Sequence, residues 1–201
     1  MLGDNVKVNE LLEMTLNVPT TQSDEKVQPY FDYVKQHGKL VGEQDGLNVY
    51  AASYNDIVIY GIGTTDVITT IAVFKPETSD LWIQHIVHTL QHFRKQQHIY
   101  KLLWFVKSQE GKRLLSYGTH TADGIKFVKN LSNTGRFDVY WYNTKTNTKI
   151  PYDSTKDGPQ NVPYRSNIQM TDWRILIERD DSPSFPRFDD GLVKWYYQVF
   201  D

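Results

Sequence analysis

Among its 201 residues the chain has no cysteine. That excludes disulfides, thiolate zinc sites and a cysteine nucleophile, and it suits a reducing compartment. Net charge is nearly absent too, at −2 with His neutral, so no global basic field is there to drive nucleic-acid binding. No apolar run approaches the about 20 residues a membrane helix needs. The first residues, "MLGDNVKVNELLEMTLNV", carry acids early and lack a continuous apolar core, unlike a secretory signal. The expectation is a cytoplasmic protein with no membrane association. There is no Gly-x-Ser-x-Gly, no Walker loop, no zinc-finger spacing and no internal repeat.

What is present is ordinary globular material. Apolar residues make up 39%, charged residues 23% and aromatics 13%, enough to bury a core without staples. A short helix is expected over 4–16. Ser23 or Asp24 caps a second, with Val27, Tyr30, Phe31 and Val34 on one face and Gly38 ending it. Three strands follow at 47–54, 56–62 and 66–74, rich in β-branched and aromatic residues, with Asn55-Asp56 as a turn. Residues 81–87 read as a strand, 88–97 as a loop and 98–109 as a helix with Ile99, Leu102, Leu103 and Val106 as its stripe. A strand over 112–120, a helix over 122–135, a strand over 136–143 and another over 172–178 complete the pattern. Residues 144–171 show little periodicity and read as a long loop.

The stretch from His85 to Ile99 poses the main question of function. Arg94, Lys95, Gln96, Gln97 and His98 lead straight into an apolar helical pattern. A helix N-terminus carries free N–H donors and about half a positive charge, and neighbouring Arg and Lys would add charge-assisted bonds, so an anion could sit there. The plainer reading is a solvated loop before a core helix. A third reading takes His85, His88 and His92 as metal ligands. That one requires 81–107 to be a single helix and offers no acidic residue between the histidines, so no metal is assigned.

The order of elements and the residues within it resemble the GCN5-related N-acetyltransferase (GNAT) superfamily. In that family an antiparallel meander and a fourth strand lead to a loop, Arg/Gln-x-x-Gly-x-Gly/Ala, that opens the central helix. Here "WIQHIVHTLQHFRKQQHIYKLLWFV" takes that place, with Arg94 at the first motif position. Gln97 and Ile99 stand where the family has glycine. In "DGIKFVKNLSNTGRF", Gly135 and Phe137 fall where the family has Gly-Phe, and no tyrosine stands at 128–131 for the family's general acid.

The resemblance implies an α/β (α+β) fold, a mixed and largely antiparallel sheet flanked by helices, in a domain over 1–143 with a C-terminal extension over 144–201. It implies acetyl transfer from acetyl-CoA to an amine. Arg94, Lys95, Gln96, Gln97, His98 and Ile99 would hold the coenzyme's phosphates. His85 would serve as base and Tyr117 as proton donor to the leaving thiolate. The alternative is a non-catalytic protein of this fold that binds a partner or belongs to a phage virion. The 144–171 loop and the aromatic tail, Trp195, Tyr196, Tyr197 and Phe200, offer surfaces for a protein partner in either case. The alternating aromatics of "RFDVYWY" suit a half-buried strand better than base stacking, and Asp180, Asp181, Asp189 and Asp190 suit a solvated loop better than a cation site.

Overall fold

Helix formation begins at the expected position, although Ser23 at the cap makes no side-chain capping bond. The computed structural model describes residues 23–116, 122–156 and 172–178, and within them the first element is α1, Asp24–His37, entered from Ser23 and ended at Gly38. The helix survives a proline in its second turn, Pro29, because its apolar face carries it. Val27, Tyr30, Phe31 and Val34 are all buried, each burial contributing roughly 1.5–3 kcal/mol.

The strands form one sheet. They are β1 Lys39–Gln44, β2 Leu47–Tyr54, β3 Ile57–Gly63, β4 Ile68–Pro76, β5 Leu81–Thr89, β6 Arg113–Ser116, β7 Asp138–Asn143, β8 Thr148–Pro151 and β9 Trp173–Glu178. Their spatial order is β1-β2-β3-β4-β5-β6-β9-β7-β8. The first five strands form an antiparallel meander. Between β5 and β6 the pairing is parallel, which requires a crossover, and α2, His98–Ser108, supplies it. A third helix, α3, Ala122–Asn133, precedes β7.

The sheet is covered on both faces. Over one, α1 packs on Ile59, Ile71, Val73 and Ile86. On the other, Leu102, Leu103 and Val106 of α2 and Leu131 of α3 pack against Tyr60, Phe74, Trp82, Trp141 and Ile175. Gly61 lets α1 approach, since a Cβ there would lie 2.9 Å from Ile68 Cγ2 and 3.0 Å from Val34 Cγ1. Lys107 is buried in the second core, where Nζ donates to the Arg136 carbonyl at 3.2 Å and sits 4.5 Å from the centre of the Trp104 ring.

The mixed, mostly antiparallel sheet flanked by helices is the fold class that the sequence leads one to expect. Two strands depart from the sequence reading. β1 pairs with β2 along the sheet edge where no strand was expected. Within the expected loop 144–171, Thr148–Pro151 folds back on β7 as a hairpin. The turn at Asn143 makes that hairpin, because its side-chain oxygen accepts from the amides of Lys145 and Thr146, both at 3.0 Å. β9 enters between β6 and β7, so residues beyond 144 complete the sheet. The expected helix at 4–16, most of the 144–171 loop, the acidic segment at 180–190 and the aromatic tail lie outside the described residues.

Candidate functional site

The candidate site is built where β5 loses one neighbour and gives way to α2. The parallel ladder with β6 covers only Leu81–Gln84, opposite Arg113–Ser116. β5 then continues to Thr89 in register with β4. From Ile86 to Thr89 its β6-side edge has no ladder partner among the described residues. A strand edge of this kind presents N–H and C=O groups that an extended ligand can pair with.

At the start of that edge the strand carries a bulge. Val73 pairs with Ile86 and Phe74 with Gln84, so His85 is the extra residue. Bulges re-aim a side chain, and the imidazole of His85 lies within electrostatic reach of the Asp56–Lys75 ion pair, itself 2.8 Å across. Burial pushes the His85 pKa below the ordinary histidine range, Lys75 pushes the same way, and Asp56 opposes both. The ring is therefore neutral at pH 7 and able to accept a proton.

After Thr89 the chain makes a short 3₁₀ turn, Gln91–Phe93, and reaches α2 through two non-glycine residues with positive φ, Lys95 at 54° and Gln97 at 58°. Gln97 is the cap of α2 and makes no side-chain capping bond. Its carbonyl accepts from the amides of Tyr100, at 3.0 Å, and Lys101, at 3.2 Å. The amides of His98 and Ile99 come before these and have no acceptor among the described residues. They are the donors that an anion at a helix N-terminus would use.

The helix begins at His98 and β5 ends at Thr89, so the single helix over 81–107 that a three-histidine metal site needs does not exist. The three histidines part accordingly: His85 is on the bulge, His88 bonds to Asp24, and His92 is in the 3₁₀ turn. Of the two positions where the resembled family has glycine, only Gln97 takes a left-handed conformation. Ile99 sits inside the first turn of α2 at negative φ, so its β-branched side chain meets no backbone obstacle there.

The six expected phosphate-binding residues are not equivalent. Arg94 is about half exposed. Its Nε donates to the Thr89 carbonyl at 3.3 Å and its Nη2 lies 3.8 Å from Asp24 Oδ1. Lys95 and Gln96 are exposed. His98 turns inward: it is buried, and its Nδ1 lies 2.7 Å from Thr69 Oγ1. The Thr69 hydroxyl gives its one hydrogen to the Ile62 carbonyl, 2.9 Å away. Nδ1 of His98 must then be the donor, so the neutral ring carries its proton on Nδ1. Burial lowers the His98 pKa, with Lys101 adding to the effect. Within this group, then, Arg94, Lys95 and the amides of His98 and Ile99 are the candidate anion donors, and the His98 side chain holds the helix start to β4. Tyr117 lies outside the described residues.

Sequence reasoning read Asp24 only as a candidate helix cap and did not mark Thr69. Asp24 Oδ1 is 2.8 Å from His88 Nε2, and Oδ2 accepts from the Gln91 amide at 3.1 Å. The His88 bond is the main cause that holds the Asp24 carboxyl below the usual carboxylate range, followed by the Gln91 amide. Both residues act across long sequence separations, and neither stands in a motif that marks it.

No family model matches the chain, and no curated protein matches it. Several solved structures do. A GNAT family acetyltransferase from Elizabethkingia anophelis, with acetyl-CoA bound, is 13% identical over 68% of this chain and 100% of that one, with a TM-score of 0.41. A protein of the GNAT family from Desulfovibrio desulfuricans is 12% identical over 88% of this chain and 92% of its own, also at 0.41. Another, from Bacteroides thetaiotaomicron, is 9% identical over 99% and 94%, again at 0.41. A likeness this loose assigns neither a family nor an activity. Among the described residues, no helix is long and apolar enough to cross a membrane.

Proposed function

We propose that the protein transfers an acyl group from a coenzyme A thioester to an amine. The observation that carries this reading is the uncapped start of α2, where the amides of His98 and Ile99 and the exposed half of Arg94 gather at the end of an open strand edge. A coenzyme A thioester has matching parts: a pyrophosphate for the helix start and a chain with amide groups for the strand edge. The residues present fit it. Gln97 adopts a left-handed conformation at the start of α2, although it is not glycine.

Acyl transfer also needs the amine deprotonated. His85 is neutral and stands on the bulge at the start of the open edge, where it would take the proton from the amine, directly or through a water. Tyr117 follows Ser116, the last residue of β6, and is the proposed donor to the departing thiolate. When bound, the thioester supplies the activated carbonyl and the thiolate leaving group. The protein's own work is to hold the phosphates, align the chain along β5 and move one proton at His85 Nε2 or Nδ1.

A thermal-shift titration tests the reading. Millimolar acetyl-CoA should stabilise the parent protein by about 2.7 kcal/mol if its concentration is 100 times the dissociation constant. The Arg94→Ala, Lys95→Ala variant should lose most of that gain. An unmoved melting transition in well-folded parent protein would overturn the proposal. Release of free thiol in the presence of an amine separates an enzyme from a protein of the same fold that only binds.

A further inference from the structure

The Asp24 carboxylate sits at the first turn of α1, where an acid ordinarily serves its own helix dipole. Here both oxygens are turned to other elements. Oδ1 meets His88 Nε2 on β5 at 2.8 Å, and Oδ2 takes the Gln91 amide at the start of the 3₁₀ turn at 3.1 Å. Oδ1 also lies 3.8 Å from Arg94 Nη2, while Arg94 Nε donates to the Thr89 carbonyl. One side chain thus touches three points along 88–94, the segment that links the open edge of β5 to the start of α2.

We propose that Asp24 is a positioning residue for anion binding, one that sets the path of residues 88–94 and through it the aim of the Arg94 guanidinium. Nε is hydrogen-bonded to the Thr89 carbonyl, Nη2 lies at ion-pair distance from Asp24 Oδ1, 3.8 Å away, and the third nitrogen, Nη1, has no partner among the described residues. A guanidinium fixed on one side and open on the other loses little freedom when it meets a phosphate. This inference rests on the coenzyme reading and deepens it, because it names a residue outside the loop that governs how the loop holds phosphate.

Asp24 could instead be a pin that only fastens α1 to the sheet. A pin changes stability and leaves the Michaelis constant for the coenzyme alone. A positioning residue changes that constant, leaves kcat and the acceptor's constant near the parent values, and acts through Arg94.

The experiment compares the parent with Asp24→Ala, Asp24→Asn, Arg94→Gln and the Asp24→Ala, Arg94→Gln double variant. The dissociation constant for acetyl-CoA is read by calorimetry well below each melting temperature. Asp24→Ala and Arg94→Gln should each weaken binding about tenfold, the size of one charge-assisted hydrogen bond. The double variant should bind no worse than Arg94→Gln, because both changes remove the same contact to phosphate. Asp24→Asn should recover most of the affinity, since its amide oxygen can still accept from the Gln91 amide. Hydrogen exchange at Gln91 should be faster in Asp24→Ala than in the parent and near the parent rate in Asp24→Asn. Equal binding by parent and Asp24→Ala, or losses that multiply in the double variant, would overturn the inference and leave the coenzyme reading standing. A parent that does not bind acetyl-CoA would remove both. Should Asp24→Ala fail to fold, Asp24→Asn decides: affinity and Gln91 protection that are kept together or lost together support positioning, and affinity lost with protection intact, or kept with protection lost, overturns it.

Discussion

Gln97 shows how much a single residue can carry at this site. Its φ of 58° lies in the left-handed region, which costs a non-glycine residue roughly 1–2 kcal/mol. That residue stands at the cap of α2, directly before the His98 and Ile99 amides, which have no acceptor among the described residues. The sequence contained the clue in an indirect form: a polar residue stands where the resembled family has glycine, and the fold asks it to behave like one. Gln97→Gly should therefore raise stability by about 0.5–1 kcal/mol, a gain reduced by the extra freedom of glycine in the unfolded chain. Urea unfolding of the two proteins measures it. A loss of stability would mean that the Gln97 side chain makes a contribution its backbone conformation does not explain.

At the scale of elements, most of the architecture was legible because its signals are local. The face of α1, the three meander strands and most of the stripe of α2 follow from periodicity: Leu102, Leu103 and Val106 are buried as expected, whereas Ile99 is only half-buried and Tyr100 and Phe105 are buried outside the expected stripe. What stayed hidden depends on contacts distant in sequence. β1 has an exposed and irregular pattern, with Leu40 and Val41 open to solvent, and becomes a strand only by pairing with β2. β8 is four residues long and exists because the Asn143 turn returns it to β7. The bulge at His85 is a matter of register, which no single strand's sequence reveals. How closely two elements approach is equally invisible. α1 lies so near β3 that a methyl group on Gly61 would press on Ile68 and Val34. Gly61→Ala should cost about 1–3 kcal/mol, the usual price of an overfilled core. A lowered urea midpoint with an unchanged slope is the expected result, and an unaltered midpoint would show that α1 can shift away without loss.

At the scale of the whole molecule, two histidines that fold neutral supply one limb of the pH dependence. His85 and His98 both have pKa values lowered by burial, and each is further lowered by a nearby lysine. In the unfolded chain both return to about 6.5. Between that value and their folded values the unfolded state binds more protons than the folded one, so acidification favours unfolding. The stability they contribute is full above pH 6.5 and is lost as the pH falls through their folded values. Each proton taken up steepens the curve by at most about 1.4 kcal/mol per pH unit, and by less at His85, which is only partly buried and screened by solvent. A second limb belongs to the carboxylates. The Asp24 pKa is held below its ordinary 3.8, chiefly by the His88 bond, so its contribution persists until the pH falls below that value. Urea midpoints taken from pH 8 down to pH 3 should therefore be level at first, decline below about 6.5, and decline again in the carboxylate range. His98→Gln should make the first decline shallower and leave the second in place, whereas Asp24→Asn should leave the first and make the second shallower, with Asp56, Asp80 and Asp153 still contributing to it. A first decline of equal slope in the parent, His85→Gln and His98→Gln would show that folding lowers the pKa of neither imidazole.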